Sequence, residues 1–440
     1  MRLFRFAALL TAALLALTSA AGAVTLKRGN QNEPDTLDPH RATGSWENNI
    51  IGDMILGLMT EDAAGEPIYG AAESHTVSED GRVYTFKIRE GHVWSDGVPV
   101  TADDFVFGMR RILDPAFGAE YASILYPIKG AAEVNAGTAT PETLAVKAID
   151  ARTLEITLVN PAPYFLQLLT HYATWGVPKH VVEANPTGWT KPGVMVSNGP
   201  YVLAEWSPGD HVKLVKNALF YDADNVAIDE VYFFPTDDGE AALKRFRAGE
   251  LDINIGIPSQ KLDYARSELA AETRISVVLN TRYITINTSR PPFDDARVRA
   301  ALSLAIDRET IAEKILRAGE QPAYSLVPPG IADYPGTARF PYAGQPLDQR
   351  VAEAKRLLAE AGFGPENPLS FKFNYIADPD SRRVAVALGQ MWQAIGVSAD
   401  LVLSEKKVHY NTVRVRDYEV AESNWFADYN DAKNFLFLAQ

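Results

Sequence analysis

The sequence predicts an α/β protein built from two or three domains. The chain has 440 residues, of which 47% are hydrophobic and 22% are charged, so it can bury more than one core. Within residues 84–89 and again within 154–158, side chains alternate in polarity, which is typical of half-buried strands. From about Asn280 onward, strand patterns alternate with helical ones, and this order favours a mostly parallel sheet.

The first 23 residues have the parts of a secretory signal peptide. Arg2 and Arg5 give a positive start, and residues 6–17 form an apolar stretch that is too short for a transmembrane anchor, the alternative interpretation. Ala21-Gly22-Ala23 resembles a cleavage site, so the mature chain is predicted to begin at Val24. We therefore expect a periplasmic protein that crosses the inner membrane and has no direct membrane anchor.

Charge and cysteine content exclude several classes of function. The formal net charge of -14 argues against nucleic acid as a partner and against binding to an anionic membrane surface. The sequence contains no cysteine, which excludes disulfides, thiolate catalysis, cysteine-based zinc sites and a lipid-modified cysteine.

Periodicity and turn signals predict the elements of the first part of the chain. Thr101 and Asp104 form a reciprocal cap for a helix that carries Phe105, Met109 and Ile112 on one face. The other predicted elements are a strand at 25–29, a turn at 33–40, a helix at 50–59, strands at 84–88 and 154–158, a hairpin of 202–203 with 212–215, a strand at 229–234, a helix at 241–248 and a buried strand at 251–257.

In the second part, helices with apolar stripes lie between strands. Asp294 and Asp295 can cap a helix whose stripe includes Val298 and Leu302, and a second stripe lies within residues 351–361 and ends at Gly362. The remaining predicted elements are strands at 283–287, 369–375 and 397–403, and a helix at 381–395.

The sequence lacks the common catalytic motifs. It has no G-x-S-x-G elbow, no phosphate-binding glycine loop and no H-E-x-x-H zinc motif. The histidines are scattered, and Pro178 separates the two nearest in sequence, His171 and His180. Acidic pairs such as Asp103-Asp104 lie at helix starts, where the helix dipole explains them. We therefore expect neither an enzyme nor a bound metal or cofactor.

One stretch near the end of the chain indicates a ligand. Asp428 lies between Trp425 and Tyr429, and a carboxylate enclosed by aromatic rings is costly to bury unless a cation meets it. A ligand would supply this cation. The alternative is a capped turn with a solvated Asp428.

Several segments, in this order, resemble one family. They are Glu33-Pro34-Asp35-Thr36-Leu37-Asp38-Pro39-His40, Trp94-Ser95-Asp96-Gly97, Val100-Thr101-Ala102-Asp103-Asp104-Phe105, Asn198-Gly199-Pro200-Tyr201, Pro292-Phe293-Asp294-Asp295-Ala296-Arg297-Val298-Arg299 and Trp425-Phe426-Ala427-Asp428-Tyr429. From about Arg28 to the last residue, the chain resembles the periplasmic oligopeptide-binding proteins of ABC importers, within the peptide/nickel solute-binding family.

The resemblance implies an α/β two-lobe periplasmic-binding-protein fold with a hinge between the lobes. Lobe I is expected at residues 24–56 and 180–279, an inserted β-rich subdomain at 57–179, and lobe II at 280–440, incomplete at its C-terminus because the apolar run at 435–438 has nothing after it to cover it. The family captures short peptides as an added strand and delivers them to an inner-membrane ABC permease with its ATPase subunits. We expect a monomer.

The resemblance also assigns ligand-binding residues. It places Thr43, Gly44 and Ser45 in the first-lobe segment that pairs with peptide backbone, and Asn424, Trp425 and Phe426 in the second-lobe segment. Asp428 matches the carboxylate that meets the peptide α-ammonium. The remaining expected residues are Tyr121 as a pocket tyrosine, Asn280 and Tyr283 as cleft-lining residues, and Arg414 as the match, with a one-residue gap, to one of two carboxylate-binding arginines.

Two positions depart from the family pattern and leave the ligand open. Glu422 stands where the second arginine is expected and either favours a basic ligand side chain or is solvated, and Lys407 replaces a cleft tryptophan. The alternatives are therefore a non-peptide ligand, such as a metal chelate, a sugar conjugate or a cofactor, a periplasmic peptide hydrolase, and a chaperone-like role.

Overall fold

The computed structural model describes residues 23–332 and 334–439 and divides them into two compact units. The first unit ends at Gly256 and the second begins at Ile257. Residues 1–22 of the predicted signal peptide lie outside the described residues. No helix within the described ranges is long and apolar enough to cross a membrane. The domain boundaries predicted at 56–57, 179–180 and 279–280 stay predictions.

The described part of the first unit contains three sheets. Their strand orders are β11-β1-β10-β9-β8, β4-β5-β7-β6 and β2-β3. β1 runs parallel to β10 and β11, and the other neighbours are antiparallel. The strands are β1 Thr25–Gly29, β2 Met59–Glu61, β3 Pro67–Tyr69, β4 Ala72–Val77, β5 Val83–Ile88, β6 Val146–Asp150, β7 Thr153–Thr157, β8 Tyr201–Ser207, β9 His211–Lys216, β10 Glu230–Phe234 and β11 Ile253–Asn254.

Short helices connect these strands. The second of them, α2, begins where the sequence predicts, because the Asp104 carboxylate accepts hydrogen bonds from the backbone N–H and the hydroxyl of Thr101. The helices are α1 Ser45–Met54, α2 Ala102–Leu113, α3 Ala131–Asn135, α4 Phe165–Leu168, α5 Lys179–Ala184 and α6 Gly239–Arg247, with 3₁₀ turns at Ala122–Leu125, Pro141–Thr143, Tyr172–Thr174 and Ala223–Asn225.

The second unit contains a mixed sheet with the order β12-β15-β13-β14. β13 is parallel to β14 and β15, whereas β12 is antiparallel to β15. The strands are β12 Asn280–Ile286, β13 Ser370–Ile376, β14 Ser398–Ser404 and β15 Val420–Phe426. The helices are α7 Leu262–Glu268, α8 Ala296–Leu304, α9 Leu347–Glu360, α10 Pro379–Gln393, α11 Lys406–Arg414 and α12 Lys433–Leu436, with a π-helix at Thr310–Leu316 and 3₁₀ turns at Ser259–Lys261 and Phe437–Ala439.

The core of the second unit lies between its sheet and helices α8, α9 and α10. Phe371 and Phe373 of β13 pack edge-on against Trp392 of α10, with ring centroids 5.2 and 5.3 Å away. The Trp392 indole donates to the Leu302 carbonyl of α8 at 3.1 Å, which satisfies its buried N–H. The sheet that carries β15 is therefore packed against these helices.

Two predicted elements differ from the structure. The buried strand predicted at 251–257 is only β11, in which Ile253 is 46% exposed, because Gly256 adopts a positive φ of 91° and Pro258 follows. The helix predicted at 50–59 is α1, which begins at Ser45 and ends at Met54 because Ile55 is extended. An N-terminal cap that includes Gly44 accounts for the earlier start.

Candidate functional site

β15 has one paired edge and one edge that becomes open halfway along the strand. Ala427 N–H donates to the Leu279 carbonyl and Asn287 N–H donates to the Glu419 carbonyl. These bonds show that the odd-numbered residues of β15 are the ones whose peptide groups point toward β12. Because pairing alternates in antiparallel ladders, the peptide groups of even-numbered β15 residues point away from β12. β13 covers that edge only at Val420 and Ala421.

Beyond Glu422, the open edge of β15 presents backbone that pairs with no described strand. Glu422 C=O still has a partner, because His409 Nε2 donates to it at 2.9 Å. The next peptide groups on this edge are those of Asn424 and Phe426, which have no strand partner among the residues that the structure describes. The predicted second-lobe segment is thus the open end of an interior strand, and this end can accept one further strand.

β12 brings two further predicted residues to β15. Asn280 lies opposite Phe426, and Tyr283 lies opposite Ser423. Burial raises the pKa of Tyr283, so its hydroxyl is protonated at neutral pH. The buried Asn280 Nδ2 finds no hydrogen-bond acceptor within the described ranges. Asn280 therefore carries an unsatisfied buried donor on the strand that pairs with β15.

Asn434 holds together the turn that carries Asp428. Its side-chain carbonyl accepts from the Trp425 indole N–H and from the Asp428 backbone N–H, both at 2.9 Å. Its amide nitrogen donates to Asp428 Oδ2 at 3.2 Å. Asn434 is 2% exposed. Asn434 was not among the predicted site residues, since no local pattern marks an Asn six residues after an acid as its support.

Burial perturbs the Asp428 carboxyl group. It raises the pKa of Asp428 to about 6, and the Asn434 hydrogen bond offsets part of the effect. The raised pKa argues against a fully solvated Asp428, because its surroundings disfavour the charge, and the ligand-binding role of Asp428 stays a prediction. A cationic ligand group would restore the ionised form.

Glu422 is not solvated, so that alternative is wrong, and its preference for a basic ligand side chain stays a prediction. It is 4% exposed. Its carboxylate accepts from the Ser381 hydroxyl at 2.8 Å and from Ile376 N–H at 3.3 Å, and it lies 3.3 Å from Arg282 Nε. Glu422 therefore ties β15 to α10, β12 and the end of β13.

Helix α11 lies beside the same strand. His409 and Tyr410 reach β15, the latter by a hydrogen bond of 3.4 Å from its hydroxyl to Asn424 Oδ1. Arg414 lies at the end of α11, is exposed and donates to Asn411 Oδ1 at 2.8 Å. Lys407 is also exposed, and its N–H helps to cap the helix on Glu405.

In the first unit, the predicted segment Thr43-Gly44-Ser45 leads into α1. Thr43 and Ser45 are exposed, and Gly44 is buried. Gly44 N–H donates to Glu47 Oε2 at 2.8 Å. Neither the N–H nor the C=O of Thr43 makes a hydrogen bond to another residue in the described part of the chain. The segment is therefore fixed by the hydrogen bond of Gly44 N–H, whereas the N–H and C=O of Thr43 have no partner among the described residues.

A buried ionic network anchors the chain just before this segment. Asp38 accepts from both terminal nitrogens of Arg111, at 2.9 and 2.5 Å, and its pKa lies below the usual range because these bonds outweigh burial. Asp38 C=O also accepts the N–H groups of Arg41 and Ala42. Arg111 belongs to α2, so this helix positions residues 38–42.

Tyr121 belongs to an aromatic cluster of the first unit. It is half-buried, and its ring centroid lies 4.8 Å from that of His171 and 5.8 Å from that of Tyr172. Burial lowers the pKa of His171 to about 3, so that ring is neutral at neutral pH. The pocket role of Tyr121 stays a prediction.

No cluster of three or more His, Asp or Glu side chains suited to a metal occurs within the described ranges. A cavity of about 670 Å³ lies between α7, the π-helix and α10, but its lining includes none of the predicted ligand-binding residues.

Comparison with known proteins shows the relationships of the chain. It is 38% identical over 416 residues to the periplasmic oligopeptide-binding protein OppA of Escherichia coli K12, covering 94% of this chain and 76% of that protein. It is also 35% identical to the probable deoxycholate-binding periplasmic protein YgiS of the same organism, over 95% of this chain and 78% of that protein.

A solved structure confirms the predicted α/β two-lobe fold. The Haemophilus influenzae OppA complex with the peptide RPPGFSPFR superimposes with a TM-score of 0.88 at 34% identity, covering 94% of this chain and 82% of that one. Residues 66–439 match the family described as bacterial extracellular solute-binding proteins, family 5, middle region. With a match of this extent, supported by relatives that are named as binding proteins, the chain belongs to family 5 of the bacterial extracellular solute-binding proteins.

Proposed function

We propose that this protein captures short peptides in the periplasm and delivers them to an ABC importer. Relatives are named as periplasmic oligopeptide-binding proteins, and one superimposed structure holds a peptide. The delivery step involves an inner-membrane permease with its ATPase subunits. The binding protein acts as a monomer after removal of its signal peptide.

The open edge of β15 is the observation that carries this proposal. Asn424 and Phe426 direct their peptide groups toward a side where no described strand pairs with them. An extended ligand that adds to this edge bonds through its own backbone, which all peptides share. Affinity then depends little on side chains, and water-filled pockets permit broad specificity.

The ends of the peptide have different partners in this proposal. The α-ammonium meets Asp428 and stabilises its ionised form, which burial disfavours. Arg414 meets the carboxylate, and Thr43-Gly44-Ser45 pairs with the peptide backbone. Trp425, Asn280, Tyr283 and Tyr121 line the ligand site.

Calorimetry and thermal unfolding test the proposal. The protein is refolded to remove any retained ligand and then mixed with a pool of random tripeptides to pentapeptides. We expect saturable binding and a stabilisation of about 2.7 kcal/mol at a hundredfold excess over Kd. If neither binding nor a shift of Tm occurs, and no peptide is cleaved, the peptide proposal fails.

A non-peptide ligand is the second candidate. A relative that is 35% identical is named as probably binding deoxycholate, so similarity at this level does not fix the ligand class. Deoxycholate also carries a single carboxylate and no ammonium, so it gives Asp428 no cation. Binding of deoxycholate with no competition by peptides would favour this candidate.

A further inference from the structure

The strongest unassigned feature is a buried carboxylate beneath the first-unit ligand segment. Glu47 is the third residue of α1 and is only 2% exposed. Its Oε1 accepts the Asp35 N–H at 3.0 Å, and its Oε2 accepts the Gly44 N–H at 2.8 Å. Glu47 therefore joins two points of the loop that precedes the helix.

The Gly44 bond fixes the direction of one particular peptide group. Gly44 N–H and Thr43 C=O belong to the same planar trans peptide unit, so they point in opposite directions. Since the N–H points inward to Glu47, the Thr43 C=O points away from the buried carboxylate. That carbonyl accepts no hydrogen bond within residues 23–332 and 334–439.

Close packing makes the contact specific to glycine at position 44. A Cβ atom on Gly44 would lie 2.6 Å from Glu47 Oε2 and 2.5 Å from the nearest atoms of the Trp46 ring. Both distances are shorter than real Cβ contacts, so a larger residue would have to displace the carboxylate or the indole. The φ of Gly44 is -111°, which any residue can adopt, so closeness and not backbone freedom requires glycine.

We propose that Glu47 is a positioning residue for ligand capture: it orients the Thr43–Gly44 peptide group so that the Thr43 carbonyl can accept from the ligand backbone. The inference rests on the proposed function, because it assumes that this segment pairs with a ligand. Glu47 itself touches no ligand. It acts through the backbone of the segment, and its loss turns the carbonyl away from the ligand.

A purely stabilising role for Glu47 is the alternative, and the chain contains a matched control for it. Asp104 in α2 has the same chemistry: it is 5% exposed and accepts the N–H groups of Thr101 and Lys179 at 2.8 and 3.1 Å. Asp104 belongs to none of the predicted ligand segments. A variant at Asp104 therefore reports the general cost of losing such a bond.

The experiment compares Glu47→Gln with Asp104→Asn by urea unfolding and by titration with the random peptide pool. In each variant the new side-chain amide keeps one oxygen that accepts a hydrogen bond, but its NH2 group faces the second backbone N–H. Both variants should therefore lose stability to a similar extent. We expect Glu47→Gln to raise Kd by about tenfold or more. We expect Asp104→Asn to leave Kd within about twofold of the unchanged protein.

Gly44→Ala displaces the same carboxylate from the other side and should weaken binding as Glu47→Gln does. Should Glu47→Gln fail to fold, Glu47→Asp replaces it, because the shorter side chain can reach only one of the two N–H groups. Equal Kd values for the Glu47, Gly44 and Asp104 variants would overturn the positioning role while leaving peptide capture intact. An unchanged protein that binds no peptide would overturn the proposed function and the positioning role together.

Discussion

The Asp428→Asn substitution should stabilise the ligand-free protein and weaken peptide binding. Burial raises the pKa of Asp428 from 3.8 to about 6. The folded protein then holds this proton more tightly than the unfolded chain does, so stability is lost as the pH rises from 3.8 to 6. At about 1.36 kcal/mol for each tenfold change in proton affinity, the loss at pH 7 is at most about 3 kcal/mol.

A neutral amide at position 428 removes this cost and also removes the charge that meets the ligand. Losing one partner of a buried charge pair costs about 2 kcal/mol or more, which corresponds to about 30-fold in Kd. Urea unfolding at pH 7 measures the gain in stability, and calorimetry with a free and an N-acetylated peptide measures the loss of affinity. Acetylation should weaken binding to the unchanged protein far more than binding to the variant.

Asp400→Asn serves as the control, because Asp400 is exposed on β14 and the substitution makes the same change in net charge. Peptide affinity of the unchanged protein should also fall below pH 6, where Asp428 becomes protonated, and the Asp428 variant should lose this dependence. An Asp428 variant with lower stability and unchanged affinity would refute the reasoning.

Three further predictions concern the supports of the two ligand segments. Glu422→Ala should lower the free energy of unfolding by about 3 kcal/mol, because Arg282 then loses its carboxylate partner. A loss below about 1 kcal/mol in urea unfolding would contradict a stabilising role for the contacts of Glu422 with Arg282, Ser381 and Ile376. Arg111→Ala leaves the buried Asp38 without its main cation and should cost about 3–5 kcal/mol, whereas an unchanged Tm would contradict this. Burial lowers the pKa of His40 to about 4, so the stability that neutral His40 contributes is complete above pH 6.5 and is lost as the pH falls through 4. In His40→Gln, the free energy of unfolding measured by circular dichroism should therefore fall less steeply with decreasing pH. An unaltered acid dependence would count against a buried neutral imidazole.

Local chemistry made much of the fold predictable. The alternation of Tyr84, Phe86 and Ile88 corresponds to β5, in which all three are buried. Asp295 caps α8 by accepting from Arg297 N–H, and Gly362 with a φ of 88° follows α9, as expected from the helix signals. The family and the two-lobe fold, which the resemblance implied, are confirmed by the comparisons. The comparisons also confirm a binding role in place of an enzyme, which the missing catalytic motifs predicted.

Non-local pairing could not be predicted from the sequence. Glu422 meets Arg282, 140 positions earlier, only because β12 and β15 are neighbours, and no periodicity specifies that register. The start of α1 at Ser45 was not predicted, because Gly44 has no side chain that marks it as a helix cap. The hydrogen bond from Gly44 N–H to Glu47 accounts for this start. The assignments of the ligand-binding residues and of the incomplete C-terminus stay predictions.

The ligand itself tests the central claim most directly. Native mass spectrometry of the refolded protein, after exposure to equal amounts of random tetrapeptides and their N-acetylated forms, reads the bound masses without assuming a sequence. We predict complexes with free tetrapeptides of many compositions and few with acetylated ones. Complexes with neither form, or with free and acetylated peptides in equal amounts, would contradict peptide capture through Asp428 and the open edge of β15.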